Sequence, residues 1–263
     1  MISPAFAQVR FYRLEQDVIA SRLKDMPLKD SERESTLKRL FASDGCDSSH
    51  LHEEAVKHAK NPNVICIVPG TSDRVIIVGA HFDHAERGAG AVDNWSGASL
   101  LPSLVQSLSQ DKRTHTFIFI GFTNEEKGMV GSRFYVNALA PQERARIDAM
   151  VNMDTLGLAS TEMWQSHADA NLVKLAAMIS NATKLPLSAV NVERVGSTDS
   201  ESFRDKKIPS ITFHSVTQET LPILHSNKDQ LSAVNLEHLY ESYKLIAAYL
   251  AYIDTAQIPD NKR

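Results

Sequence analysis

The run THTFIFIGF (114–122) does most to restrict how this chain folds, because it is apolar almost without interruption. A strand with that texture is covered on both faces, which an antiparallel sheet with one wet side does not require. Other short strand-like runs accompany it: NVICIV (63–68), RVIIVGA (74–80), AMVNM (149–153) and PSITFH (209–214). Between them lie stretches with helical spacing. Asn94 to Leu108 aligns Leu100, Leu101, Leu104, Val105 and Leu108 on one stripe. Asn171 to Thr183 gathers Leu172, Leu175, Ala176 and Ile179, Ser132 to Leu139 suggests a shorter helix, and Leu236 to Ile253 reads as a long closing helix. Strands alternating with helices imply helical layers on both sides of a mostly parallel or mixed sheet. The reading is α/β: a single-domain three-layer sandwich, with a central mixed, mostly parallel β-sheet flanked by helices.

Upstream, residues 8 to 43 carry apolar side chains at helical spacing (Val9, Tyr12, Leu14, Val18, Ile19, Leu23). Pro27 and Asp30 break the pattern before a second short helix in SERESTLKRLF. Residues 1–62 are therefore read as an N-terminal helical layer of the same fold and residues 63–263 as its core. Pro69-Gly70-Thr71-Ser72-Asp73, between two strand-like runs, looks like a hairpin connection. No repeat and no Pro/Gly linker divides the chain.

Composition excludes more than it identifies. The net charge of −4 comes without long runs of one sign, so nucleic-acid binding has no electrostatic footprint. No stretch approaches the roughly 20 apolar residues of a membrane span. Cys46 and Cys66 could form a disulfide or remain two buried thiols. Ala5-Phe6-Ala7 has the small-x-small form of a signal cleavage site, which leans toward export, periplasmic or secreted; a cytoplasmic location is the alternative.

Chemistry collects where strands end. RVIIVGA runs into His81 and Asp83, TFIFIGF into Thr123-Asn124-Glu125-Glu126, and AMVNM into Asp154, while Asp93-Asn94 opens a helix. Each residue alone has an ordinary structural explanation, as rim histidine, helix-start acid, turn cap or N-cap. Ligands of open α/β sheets bind outside the carboxyl ends of strands, however, and one site explains all of these residues at once.

In order and spacing, His81-Phe82-Asp83, Asp93-Asn94-Trp95-Ser96-Gly97, Asn124-Glu125-Glu126-Lys127-Gly128 with Gly131-Ser132, Asn152-Met153-Asp154 and His225 with Asp229 resemble the M28 family of zinc aminopeptidases, relatives of the glutaminyl cyclases. The resemblance implies a zinc-exopeptidase, phosphorylase/hydrolase-like fold and two zinc ions per chain. It implies that Asp93 bridges them, His81 and Asp154 completing one ligand set and Glu126 and His225 the other. Glu125 would be the general base, and Asp83 would stand behind His81 and fix its tautomer. The implied activity is a metallopeptidase, an aminopeptidase acting on a peptide substrate through a metal-activated water. Single-zinc cyclisation, as in glutaminyl cyclases, and a non-catalytic metal-binding scaffold are the alternatives. The Asp93-Asn94 pair, where cyclases carry Asp-Ser, favours the peptidase. Oligomeric state is left open.

Two departures stand out. GSTDSESF (196–203) keeps Asp199 and Phe203 of the family's S-D-H-x-x-F stretch but has Ser200 in place of the histidine. Asp199 is then either a contact near the metals or substrate amine, or an N-cap with Ser197 and Thr198. Leu224 precedes His225 where many members have an aromatic residue, leaving Tyr135, Ser215 or Thr217 as oxyanion donors. The remaining histidines match no ligand slot and are read as surface or core residues, with His84 the first candidate for an exception.

Overall fold

The computed structural model describes residues 10–191 and 196–256; Ala5-Phe6-Ala7 and Val9 lie outside them. Helices α1 (Gln16–Lys24) and α2 (Asp30–Ser43) precede strands β1 (Leu51–Glu54), β2 (Asn63–Val68) and β3 (Val75–His81). Then come α3 (Ser96–Ala98), α4 (Leu100–Leu108), β4 (Thr116–Phe122), α5 (Val130–Ala138), α6 (Pro141–Ala145) and β5 (Ile147–Met153). The remainder is β6 (Glu162–Trp164), α7 (Ala170–Thr183), β7 (Ser188–Val190), α8 (Ser200–Arg204), β8 (Ser210–His214) and α9 (Leu236–Ile253).

Among the described residues, eight strands form one sheet in the order β1-β2-β4-β3-β5-β8-β6-β7. Its centre, β4-β3-β5-β8, is parallel, while β2 runs antiparallel to β4, β1 to β2, and β6 to β8. Alternate residues of β3 face opposite cores. Ile76, Val78 and Ala80 pack with α2, α4, α7 and α9 through Leu37, Phe41, Leu104, Ile179, Tyr243 and Tyr249. Ile77 packs on the other side with Tyr135, Val136 and Phe203 from α5 and α8. Burying one such large apolar side chain contributes about 1.5–3 kcal/mol. A charge at Val78, which is wholly buried, would have no partner there and would break the layer.

The hairpin reading of residues 69–73 is corrected. β2 and β3 are not neighbours, because β4 lies between them. The Thr71 and Ser72 amides donate to the carbonyls of Arg113 and Thr114, each at 2.9 Å. This connection crosses the start of β4 and delivers β3 to its far side. Parallel pairing then sets His81 opposite Phe122 and Gly79 opposite Asn152, so three strand exits share one rim. Before residue 63 the chain is not all helix, since Leu51–Glu54 forms the edge strand β1. Cys46 and Cys66 are paired in a disulfide, with Cα atoms 6.0 Å apart. It ties the end of α2 to β2.

Candidate metal centre

His81 ends β3 almost wholly buried, its side chain directed at the residues leaving the neighbouring strands. Its Nε2 lies 3.2 Å from Asp93 Oδ1, 3.6 Å from Asp154 Oδ1 and 4.0 Å from Glu125 Oε2. On the opposite side, His225 Nε2 lies 3.2 Å from Asp93 Oδ2 and 3.1 Å from Glu126 Oε2. The two oxygens of Asp93 thus face different partners. Two sets of potential ligand atoms result, His81–Asp93–Asp154 and Asp93–Glu126–His225, each gathered within 4.8 Å. The structure brings together all five residues expected to bind metal, and Glu125 lies against them.

Local backbone explains how separate loops converge. Asn124, Thr155 and His225 have φ near +54°, +54° and +53°, the left-handed region that non-glycine residues avoid. Each such residue costs about 1–2 kcal/mol, and all three flank or belong to the site, as strained residues at functional sites do. A cis peptide joins Asp93 to Asn94. Asn94 links that turn to the exit of β5, donating to Met153 O at 2.9 Å and accepting from the amides of Gly97 (3.0 Å) and Thr155 (3.2 Å). Gly131 lets α5 begin against the main chain of Thr123, where a Cβ would collide.

Asp83 does more than was expected of it. His81 Nδ1 lies 3.1 Å from the Asp83 carbonyl and 3.6 Å from its carboxylate. That carboxylate accepts from the amides of Glu125 (3.0 Å) and Glu126 (3.3 Å), so one side chain orients two strand exits. Thr198, read from sequence only as part of an N-cap, donates to Asp154 Oδ2 at 2.8 Å and accepts from Asn152 at 2.6 Å. Asp199 precedes α8 yet makes no side-chain cap bond, which corrects the N-cap reading. It is wholly buried, its carboxylate oxygens make no hydrogen bond among the described residues, and it does not line the cavity.

The electrostatics call for positive charge. Burial pushes the Glu125 carboxyl well above its ordinary range. Burial, then the charge of Asp93, raises Glu126 to about 7, and burial raises Asp199 to about 7. Burial would lower His81, but the surrounding carboxylates of Asp154, Asp83 and Asp93 raise it well above normal. Asp93 also resists burial, because His225 and His81 hold it well below the usual carboxylate value. Glu126 Oε1 is buried with no hydrogen-bond partner among the described residues. Imidazole and carboxylate donors in two adjoining sets, an orphaned carboxylate oxygen and an excess of buried acids all suit divalent zinc.

His81, Asp93, Glu125, Glu126, Asp154 and His225 line a cavity of about 520 Å³ whose apolar wall includes Trp164, Val216, Leu221 and Leu224. Tyr135, Ser215 and Thr217, the oxyanion donors considered from sequence, do not line it. His84 turns aside to Asp30, 2.7 Å away.

The profile of peptidase family M28 matches residues 63–250. The chain belongs to this family. It is similar to Aminopeptidase YwaD of Bacillus subtilis, 24% identical over 239 residues that cover 88% of this chain and 50% of the relative. The chain therefore spans about half the length of that curated relative. Among solved structures, a zinc aminopeptidase from B. subtilis, BSAP, superposes with a TM-score of 0.68 at 24% identity, covering 76% of this chain and 52% of its own. An Acidobacteriales bacterium glutaminyl cyclase shares the fold with a TM-score of 0.77 at 14% identity, covering 96% and 99%.

Proposed function

We propose that the chain is a zinc-dependent aminopeptidase that hydrolyses N-terminal residues from peptides. His81, Asp93 and Asp154 would hold one zinc ion, and Asp93, Glu126 and His225 a second. The observation that carries this reading is Asp93, with one carboxylate oxygen directed to each ligand set. Zinc, when bound, supplies a Lewis acid for the scissile carbonyl and makes water a nucleophile near neutral pH. Glu125 takes the proton from the attacking water and delivers it to the departing amine. Asp83 holds Glu125 and Glu126 in place through their amides, and Thr198 holds Asp154. The surplus of carboxylates favours a substrate bearing a positive α-ammonium group, and the cavity volume lies in the range of small-ligand sites.

The glutaminyl-cyclase reading draws on the similar fold of that neighbour over nearly the whole of both chains. Asn94 opposes it. Metal content and turnover separate the two. Close to two zinc ions per chain, with release of the amine from aminoacyl anilides and not from an N-acylated control, is the expected outcome. One zinc per chain without peptide cleavage would favour the cyclase. The paired Cys46 and Cys66 support export to an oxidising compartment. Non-reducing mass spectrometry after alkylation of the natively expressed protein tests this, and two alkylated thiols would refute it.

A further inference from the structure

We propose that Arg33, on α2 and outside the residues matched by the family profile, is a positioning residue for this metal centre: it holds the loop between His81 and Asp93 in its ligating shape before any metal arrives. The inference rests on the zinc-site reading above. Arg33 is wholly buried. Its Nε donates to Pro27 O and its Nη1 to Phe82 O, both at 3.0 Å, while Nη2 donates to Ala89 O. The guanidinium carbon lies 5.7 Å from the centroid of the Trp95 ring. The fork therefore grips the loop immediately after His81 and again just before Asp93.

The other side of the same loop is held by Asp229. Its carbonyl accepts from the Ala89 amide at 2.7 Å, and its carboxylate accepts from Val92 (2.7 Å) and Asp93 (3.2 Å). Ala89 is thus gripped from both directions, by α2 through its carbonyl and by the loop of His225 through its amide. Gly90, with φ of +57°, lets the chain turn between these anchors where a Cβ would meet His84 and the Asp93 carbonyl. Asp30, one turn before Arg33, pins His84. A planar guanidinium can serve three carbonyls at fixed angles; an ammonium on a flexible stem cannot. Burial lowers Arg33 to about 10, so it stays charged at neutral pH, with Asp30, Asp229, Asp83 and Asp93 as its acidic neighbours. It supplies fixed positive charge behind the ligands.

The test compares full-length wild type, Arg33→Lys and Arg113→Lys by zinc competition against a chromophoric chelator and by the visible absorption of the cobalt(II) forms. Arg113 is also a buried fork, bonded to the carbonyls of Leu108 and Arg10, but lies before the start of β4, away from the metal-site rim. Arg33→Lys is expected to bind zinc about 10- to 100-fold more weakly, with an altered cobalt spectrum. Arg113→Lys is expected to lose stability and keep wild-type affinity. Equal zinc affinity in Arg33→Lys and a zinc-binding wild type overturns this inference alone, whereas a wild type that takes up no zinc overturns the metal-site reading and this with it. A second arm needs no variant. In metal-free wild type, the Ala89, Val92 and Asp93 amides are expected to exchange with deuterium as slowly as those of β3. Fast exchange that slows only on zinc addition would show that metal, not the contacts of Arg33 and Asp229, shapes the loop.

Discussion

Glu125→Gln separates proton transfer from metal binding, because the change preserves shape and removes a basic oxygen and a charge. Neither ligand set uses Glu125, whose Oε2 comes no closer than 4.0 Å to the His81 imidazole. Zinc affinity should therefore hold. Turnover should not: a positioned general base contributes about 10²–10⁴-fold, or about 3–5 kcal/mol of barrier at about 1.4 kcal/mol per decade. Stability offers an independent readout. Burial raises the Glu125 carboxyl, and the charges of Asp199, Asp154 and Asp93 add to this against the opposing effect of His81. An acid whose folded pKa exceeds its unfolded value binds more protons when folded, so it destabilises the fold as pH rises above the unfolded value. Metal-free Glu125→Gln is therefore expected to melt above metal-free wild type at pH 7, with the gap closing toward pH 4. Steady-state hydrolysis of an aminoacyl anilide, metal analysis and calorimetry measure the three outcomes. Wild-type turnover in the variant would refute the general-base role, and loss of zinc along with turnover would show that Glu125 is a ligand.

Asn94→Ala removes the partner of three buried main-chain groups; at about 1–3 kcal/mol for each group left unsatisfied, urea unfolding should show a loss of several kcal/mol together with weaker zinc binding. His115, buried at the opposite rim, is held near 9 by Asp148 and Asp254 against the effect of burial. It therefore stabilises the fold fully below about pH 6.5 and loses that contribution as pH rises through about 9. The rise from 6.5, at about 1.4 kcal/mol per pH unit, caps the loss at about 3.5 kcal/mol. His115→Gln should flatten the stability profile over that interval while leaving kcat unchanged. Stripping zinc with a chelator should abolish hydrolysis and lower the melting temperature, and zinc restored at about 100 times its Kd should return about 2.7 kcal/mol. An unchanged melting curve would argue against bound metal.

The central strands were legible because a sheet covered on both faces must be written in apolar residues. The runs around Ile76–Val78 and Phe117–Ile120 leave little else for those segments to become, and α9 matches the closing helix from Leu236 to Ile253. The rim follows from direction: parallel strands end together, which puts His81, Glu125, Glu126 and Asp154 near one another on sequence order alone. The edges were not legible. β6 and β7 contain three residues each, too few for a period of two to be recognised. β1 reads LHEE, with one apolar side chain in four residues, because it is an edge strand. The turn chemistry of Pro69-Gly70 marks a change of direction, but whether the chain folds back on β2 or crosses β4 depends on contacts with Arg113 and Thr114, more than 40 positions away.

The same distinction explains which parts of the site could be read. Ligand and base residues announce themselves because zinc chemistry admits few side chains, and those must sit at strand exits. The residues that hold them in place act through main-chain groups, which every residue has. Asp83 bonds the amides of Glu125 and Glu126, Asp229 those of Val92 and Asp93, and Arg33 the carbonyls of Phe82 and Ala89. Nothing in the identity of the bonded residues marks the contact. A buried arginine on a helix of mixed polarity looks, in sequence, like any solvated one. Yet an uncompensated cluster of acids is unstable as a bare constellation, and the rigidity that keeps it open to metal must come from such contacts. Substitutions at Arg33 and Asp229 should therefore affect metal affinity more than their distance from any catalytic motif suggests.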